Sequence, residues 1–151
     1  MKNLFDYTGN PLPGEIERMI KDGADVNARN DKGYTSFMMA SCYGYERCAR
    51  TLISLGANPD LQDKHGNTAL ILAAYAGMTS SVSLILELGA DPSIKDKSGH
   101  DAMDAMDENP HLDKEVVSQI AKLLSNAGIK REFHYIKGIR IPSLIDKSSS
   151  M

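Results

Sequence analysis

The sequence has no tryptophan, three phenylalanines and only two cysteines. Two cysteines are too few for a disulfide framework and nothing points to secretion, so a reducing, cytoplasmic setting is expected. The start, Met1-Lys2-Asn3-Leu4-Phe5-Asp6, lacks the apolar centre of a signal peptide. Long apolar runs are also missing: the longest, Ala69 to Ala76, falls far short of a membrane span. Positive charge is not in excess, since 17 Lys and Arg against 20 Asp and Glu leave a net −3. That balance argues against a broad basic footprint for nucleic acid or an anionic membrane. What remains is ordinary globular material, 42% hydrophobic and 25% charged, apolar enough to argue against disorder. A chain of 151 residues fits one domain.

Catalytic patterns are missing as well. His65, His100, His111 and His134 show no zinc-ligand spacing with either cysteine, and no HExxH, GxSxG or GxxxxGK[ST] motif occurs. Asp101, Asp104 and Asp107 sit three apart and share a helix face. Calcium loops need another spacing and a turn glycine, so a solvated acidic face near a helix N-terminus is expected. Cys42 is a nucleophile only if a base stands near, and His65 is the one candidate. Met38, Met39, Met103 and Met106 read as packing residues. No cofactor, no metal and no enzymatic activity are expected.

The positive signal is a repeat. Gly23-Ala24-Asp25, Gly56-Ala57-Asn58 and Gly89-Ala90-Asp91 recur every 33 residues, as do Gly33, Gly66 and Gly99, and the pair Gly44 and Gly77. Between the glycines, Thr35 to Ser41 and Thr68 to Ala74 are short, mostly apolar helix candidates. Second helices are expected over Glu46 to Leu55 and Thr79 to Leu88, with Ala49, Leu52, Ile53 and Val82, Ile85, Leu86 on one face. Ala57–Gly66 and Ala90–Gly99 are too rich in Asn, Asp, Pro and Gly for helix and read as turns. A turn and two short antiparallel helices cannot cover their own apolar face, so units must stack.

This unit resembles the ankyrin repeat, D-x-x-G-x-T-P-L-H-x-A-A-x-x-G followed by a second helix and G-A-D-x-N. The middle unit runs Asp63-Lys64-His65-Gly66-Asn67-Thr68-Ala69-Leu70-Ile71-Leu72-Ala73-Ala74-Tyr75-Ala76-Gly77, the first full unit starts Asn30-Asp31-Lys32-Gly33, and the third opens Asp96-Lys97-Ser98-Gly99. The resemblance covers about residues 11 to 129 and implies an all-α solenoid. The family's proline is replaced by Ser36, Ala69 and Ala102, and its histidine by Met38, Ile71 and Asp104. That histidine resembles a group linking neighbouring turns, so some bonding between units is expected to be missing.

The expected layout is a shortened capping unit over 1–29, units over 30–62, 63–95 and 96–128, and a capping tail over 129–151. In the first, only a helix from Glu15 to Asp22 is clear, with Ile16, Met19 and Ile20 on one face. Pro11 and Pro13 block a longer one, and Leu4, Phe5 and Tyr7 are placed over the open end. Gly89 to Gly128 exceeds the period by six residues, which are placed in Glu108 to Asp113. Asp113 is then the cap of a helix from Lys114 to Asn126, with Val116, Val117, Ile120, Leu123 and Leu124 inside. In the tail, five cations (Lys130, Arg131, Lys137, Arg140, Lys147) outnumber Glu132 and Asp146, a local net +3 within an overall −3. Its apolar Phe133, Tyr135, Ile136, Ile139, Ile141, Leu144 and Ile145 suit a cover for the last unit, or else a segment for a partner. Ser148 to Met151 is expected to stay disordered.

The resemblance implies a concave binding surface made of turn tips and first helices. On this sequence the tips are Asp31, Lys32 and Tyr34; Lys64, His65 and Asn67; and Lys97, Ser98 and His100. The helix positions are Cys42, Tyr43 and Tyr45; Tyr75, Ala76 and Met78; and Glu108 and Asn109. Four of six tyrosines fall on this surface, and tyrosine combines contact area, few rotors and a polar tip. Tyr45 packing across a helix corner and Tyr34 covering a turn are the plainer readings. Cys48, by its place in the second helix, is a core thiol. The functional expectation is a protein-binding module, monomeric when free, that inhibits by occlusion, as an immunity-type protein does. An adaptor or assembly subunit is the sibling reading, and a small enzyme or a nucleic-acid binder using the tail are the others.

Overall fold

The computed structural model describes Leu4, residues 12–130 and the backbone of two short strands, Phe133–Ile136 (β1) and Ile139–Pro142 (β2). Phe5, Tyr7, Pro11, the tail side chains beyond Lys130 and Ser148 to Met151, all assigned roles above, lie outside the described residues.

The helices are α1 (Pro13–Lys21), α2 (Ser36–Cys42), α3 (Glu46–Ser54), α4 (Ala69–Tyr75), α5 (Thr79–Glu87), α6 (Ala102–Asp107) and α7 (Lys114–Asn126). Thr35 and Thr68, expected inside their helices, stand one residue before them as caps. Their hydroxyls accept from the Met38 and Ile71 N–H groups, each at 3.2 Å, which satisfies donors with no partner inside the helix. Pro13 opens α1 rather than preceding it, because a fixed φ and a missing N–H suit the first turn. Asp113 occupies the N-cap position of α7 but makes no side-chain cap bond, contrary to expectation.

The turns share one chemistry. Asn30, Asp63 and Asp96 occupy equivalent places, and each side-chain oxygen accepts two backbone N–H groups, from residues two and four further on, at 2.8–3.0 Å. Gly66 has φ +82°, and a Cβ there would lie 2.7 Å from the Lys97 nitrogen. Successive turns therefore meet backbone to backbone, and the Lys97 N–H donates to the His65 carbonyl at 3.0 Å.

First helices α2, α4 and α6 form one layer, and α1, α3, α5 and α7 form the other. The core lies between them, with Phe37, Leu52, Leu70, Ile85, Met103, Met106, Ile120 and Leu124 almost wholly buried. Of the expected inner face of α7, Val117, Ile120 and Leu124 are buried, while Val116 and Leu123 are half-buried against the core.

The six extra residues of the last unit are divided rather than inserted at one place. The loop between α6 and α7, residues 108–113, is three residues longer than the 76–78 loop between α4 and α5. Helix α7 has 13 residues against 9 in α5, while α6 has 6 against 7 in α4. The long loop folds back onto the preceding unit: Leu112 lies at Gly77, where a Cβ would come within 2.5 Å of its Cδ2. Strands β1 and β2 pair antiparallel, Phe133 opposite Pro142, and β1 lies beside α6. This hairpin is an addition to the expected all-α architecture.

Candidate functional site

The ends of the first helices and the turn tips form the surface expected to bind. Tyr43, 63% exposed, follows α2, and Tyr75, 51% exposed, ends α4. Tyr45 is half-buried against the core and stacks on Tyr43 with ring centroids 6.0 Å apart. Its backbone N–H donates to the Ala40 carbonyl at 2.8 Å, so the α2–α3 corner holds it in place. Tyr45 thus packs at the helix corner and supports Tyr43 from behind. Tyr34 is likewise half-buried against the core. Two tyrosines face out and two brace the surface.

The other positions divide similarly. Asp31, Lys32, Lys64, His65, Lys97, Ser98, Ala76 and Glu108 are exposed, and Met78, Asn109 and His100 are half-buried. Asn67 is half-buried, and its amide bonds the Asp63 carboxylate of its own turn at 3.4 Å. His100 Nδ1 stands 3.1 Å from a Glu108 carboxylate oxygen, and the Asn109 amide donates to the Tyr75 carbonyl at 2.7 Å. The long loop is therefore moored to α4 beside Tyr75 and forms a wall at that end of the surface.

Cys42 departs from its expected surface place. It is half-buried, with its sulfur 3.8 Å from the Ala69 carbonyl oxygen, and burial pushes its thiol up to about 12. Burial thus favours the protonated thiol, the less reactive form. Cys48 is buried at 1% exposure, as a core thiol. Asp101 is not on a solvated face. It is buried at 6% and caps α6, accepting from the Met103 and Asp104 N–H groups at 3.0 Å, while Asp104 accepts from the Asp101 N–H at 3.1 Å. This reciprocal box does what threonine does in the two preceding units. Among the described residues no cluster of His, Cys, Asp or Glu could hold a metal ion, and no helix is long and apolar enough to cross a membrane.

Sequence reading missed a polar ladder on the turns. Arg29 donates to the Gln62 carbonyl at 2.8 Å, and the Gln62 amide donates to the Lys95 carbonyl at 2.9 Å and to the Gly66 carbonyl at 2.8 Å. Side chains of Asn27 and Asp60 accept the Asn58 and Asp91 N–H groups of the next unit, each at 2.8 Å. These bonds link neighbouring turns in a chain that lacks the family's histidine. Arg29, Gln62 and Lys95 stand 33 apart, so the period itself carried the signal.

Comparison with known families decides the identity. The family described as "Ankyrin repeats", in three copies, matches residues 11–96, more than half of the chain. The chain belongs to the ankyrin repeat family. Ankyrin repeats are protein–protein interaction modules, typically without enzymatic activity, and generally bind other proteins. Comparison with curated proteins gave no match. Helices α6 and α7, beyond the matched residues, continue both layers of the ankyrin stack, α6 against α4 and α7 against α5.

Proposed function

We propose that this ankyrin protein, monomeric and cytoplasmic, binds one protein partner through its concave face and acts by occlusion, as an inhibitor or immunity-type protein. The observation that carries the reading is the exposure of Tyr43 and Tyr75, which with Leu12 are the only large hydrophobic side chains exposed among the described residues. The stack on Tyr45 orders Tyr43 before binding, which lowers the entropy lost on association. Ordered aromatic anchors of this kind dominate interface energies. In this reading the repeat units over 30–62, 63–95 and 96–128 supply little besides that surface, so occupying the partner is the simplest way to act.

The test is affinity capture from the native lysate, with wild type beside the Tyr43→Ala, Tyr75→Ala double variant. A stoichiometric partner is expected with wild type, its affinity reduced in the variant by at least about 2 kcal/mol, roughly 30-fold. Matched thermal melts are the control for an intact fold. If the partner has a measurable activity, it should fall as complex forms. Full partner activity in the complex favours an adaptor, and unchanged affinity of the double variant rejects the concave patch.

A further inference from the structure

We propose that the turn edge of the ankyrin stack binds an extended acidic segment of the partner, one of whose carboxylates enters a cleft framed by Arg29, Lys95 and Lys97. The proposal rests on the concave-face reading and adds the chemistry of the partner. The cleft, about 370 Å³, opens between consecutive turns, and Gln62, Gly66 and the carboxylates Asp60, Asp63 and Asp96 also line it. Lys32, Lys64 and Lys97 stand at one per unit along the tips, and all three are exposed, as are Arg29 and Lys95. None of these five cations joins an ion pair among the described residues.

Those carboxylates keep their charge, but each is turned toward backbone N–H groups. Asp63 and Asp96 each hold two backbone N–H groups of their own turn, and Asp60 holds the Asp91 N–H of the next unit. Among the described residues, Asp31 is the one carboxylate at the tips without such a bond. Negative charge thus sits at the backbone, facing amide N–H groups, while positive charge sits at the ends of long stems. An approaching partner meets ammonium and guanidinium groups first. Arg29 spends one N–H on the Gln62 carbonyl, which holds the guanidinium at the cleft and leaves its remaining donors for a carboxylate.

Geometry favours a peptide over a polyphosphate. Packed helices lie about 10 Å apart, so cations repeating once per unit match about every third residue of an extended peptide at ~3.3 Å each. A polyphosphate carries charge without such gaps.

The probe is a fluorescein-labelled twelve-residue peptide with Glu at every third position and Leu between. It is titrated beside its Gln counterpart and a single-stranded RNA of equal length, with anisotropy as readout. The Glu peptide should bind at least about tenfold tighter than the Gln peptide at low salt, and the gap should close as salt screens the charges. Lys95→Glu with Lys97→Glu should abolish that preference at unchanged melting temperature. Equal affinity for both peptides, binding of neither, a preference that survives charge reversal, or tighter binding of the RNA overturns the proposal. Tyr43→Ala with Tyr75→Ala should weaken both peptides alike. A Glu preference with no effect of the tyrosines supports the acidic-segment proposal and rejects the concave patch instead.

Discussion

Ser36 stands where the ankyrin unit has proline, and the structure shows the consequence of that exchange. It is the first residue of α2, nearly buried, and its hydroxyl makes no hydrogen bond among the described residues. Proline at a first helical position forgoes an N–H that has no intrahelical acceptor and restricts the unfolded chain. Thr35 before it is already extended, with ψ 162°, as a residue preceding proline must be. Ser36→Pro is therefore expected to stabilise by about 0.5–1 kcal/mol, measured by urea unfolding. Ser36→Ala separates the two causes, since it removes the unpartnered hydroxyl without rigidifying the backbone. Cys42 shows the limit of reading single residues. Its position on the repeat was legible, but the depth of the α2–α4 contact that buries its sulfur against Ala69 was not.

Elements show which parts of the pattern are local. Thr35 and Thr68 at the caps, Asn30, Asp63 and Asp96 in the turns, and glycines at positive φ follow from chemistry within a few residues. The period exposed the glycines and turns for that reason, while the two threonines, which read as helical, prove to be caps. The glycines nonetheless differ in kind. Gly44, at φ +74°, has open space where a Cβ would stand, whereas Gly66 at φ +82° has the next turn's backbone there. Gly44→Ala is expected to cost only the left-handed conformation, about 1 kcal/mol, and Gly66→Ala at least about 2 kcal/mol. Equal midpoint shifts in chemical denaturation would show that the turns do not meet as closely as described. The α6–α7 loop was legible in place but not in length or course, since it exceeds its counterpart by three residues where six were expected. Its return to Gly77 and Tyr75 depends on Leu112 and Asn109 finding a neighbouring unit.

The whole molecule is a stack whose ends need cover, because a terminal unit exposes the apolar face that an inner unit buries. At the C-terminal end β1 lies beside α6, which supports reading the tail as that cover. Ile129 is itself buried, its N–H donating to the Leu124 carbonyl at 3.0 Å, so a truncation should spare it. Ending the chain after Lys130 is expected to lower the melting temperature by several degrees, as a loss of 1–2 kcal/mol does in domains of roughly this size. The measurement is calorimetry beside light scattering. An unaltered melting temperature in a soluble monomer would show that the tail is no cap and would turn attention to its partner-binding reading.

The repeating unit, its turns and its stacking were determined by the sequence alone, because each arises from glycine conformation and helical periodicity over short distances. The tertiary structure decided which residues of each unit remain available. Tyr43 and Tyr75 stay exposed while Tyr45, Tyr34 and Cys42 turn partly inward, since burial depends on how closely one unit meets the next. It also decided the polar ladder, the mooring of the long loop and the cationic cleft, which exist only where side chains from different units converge.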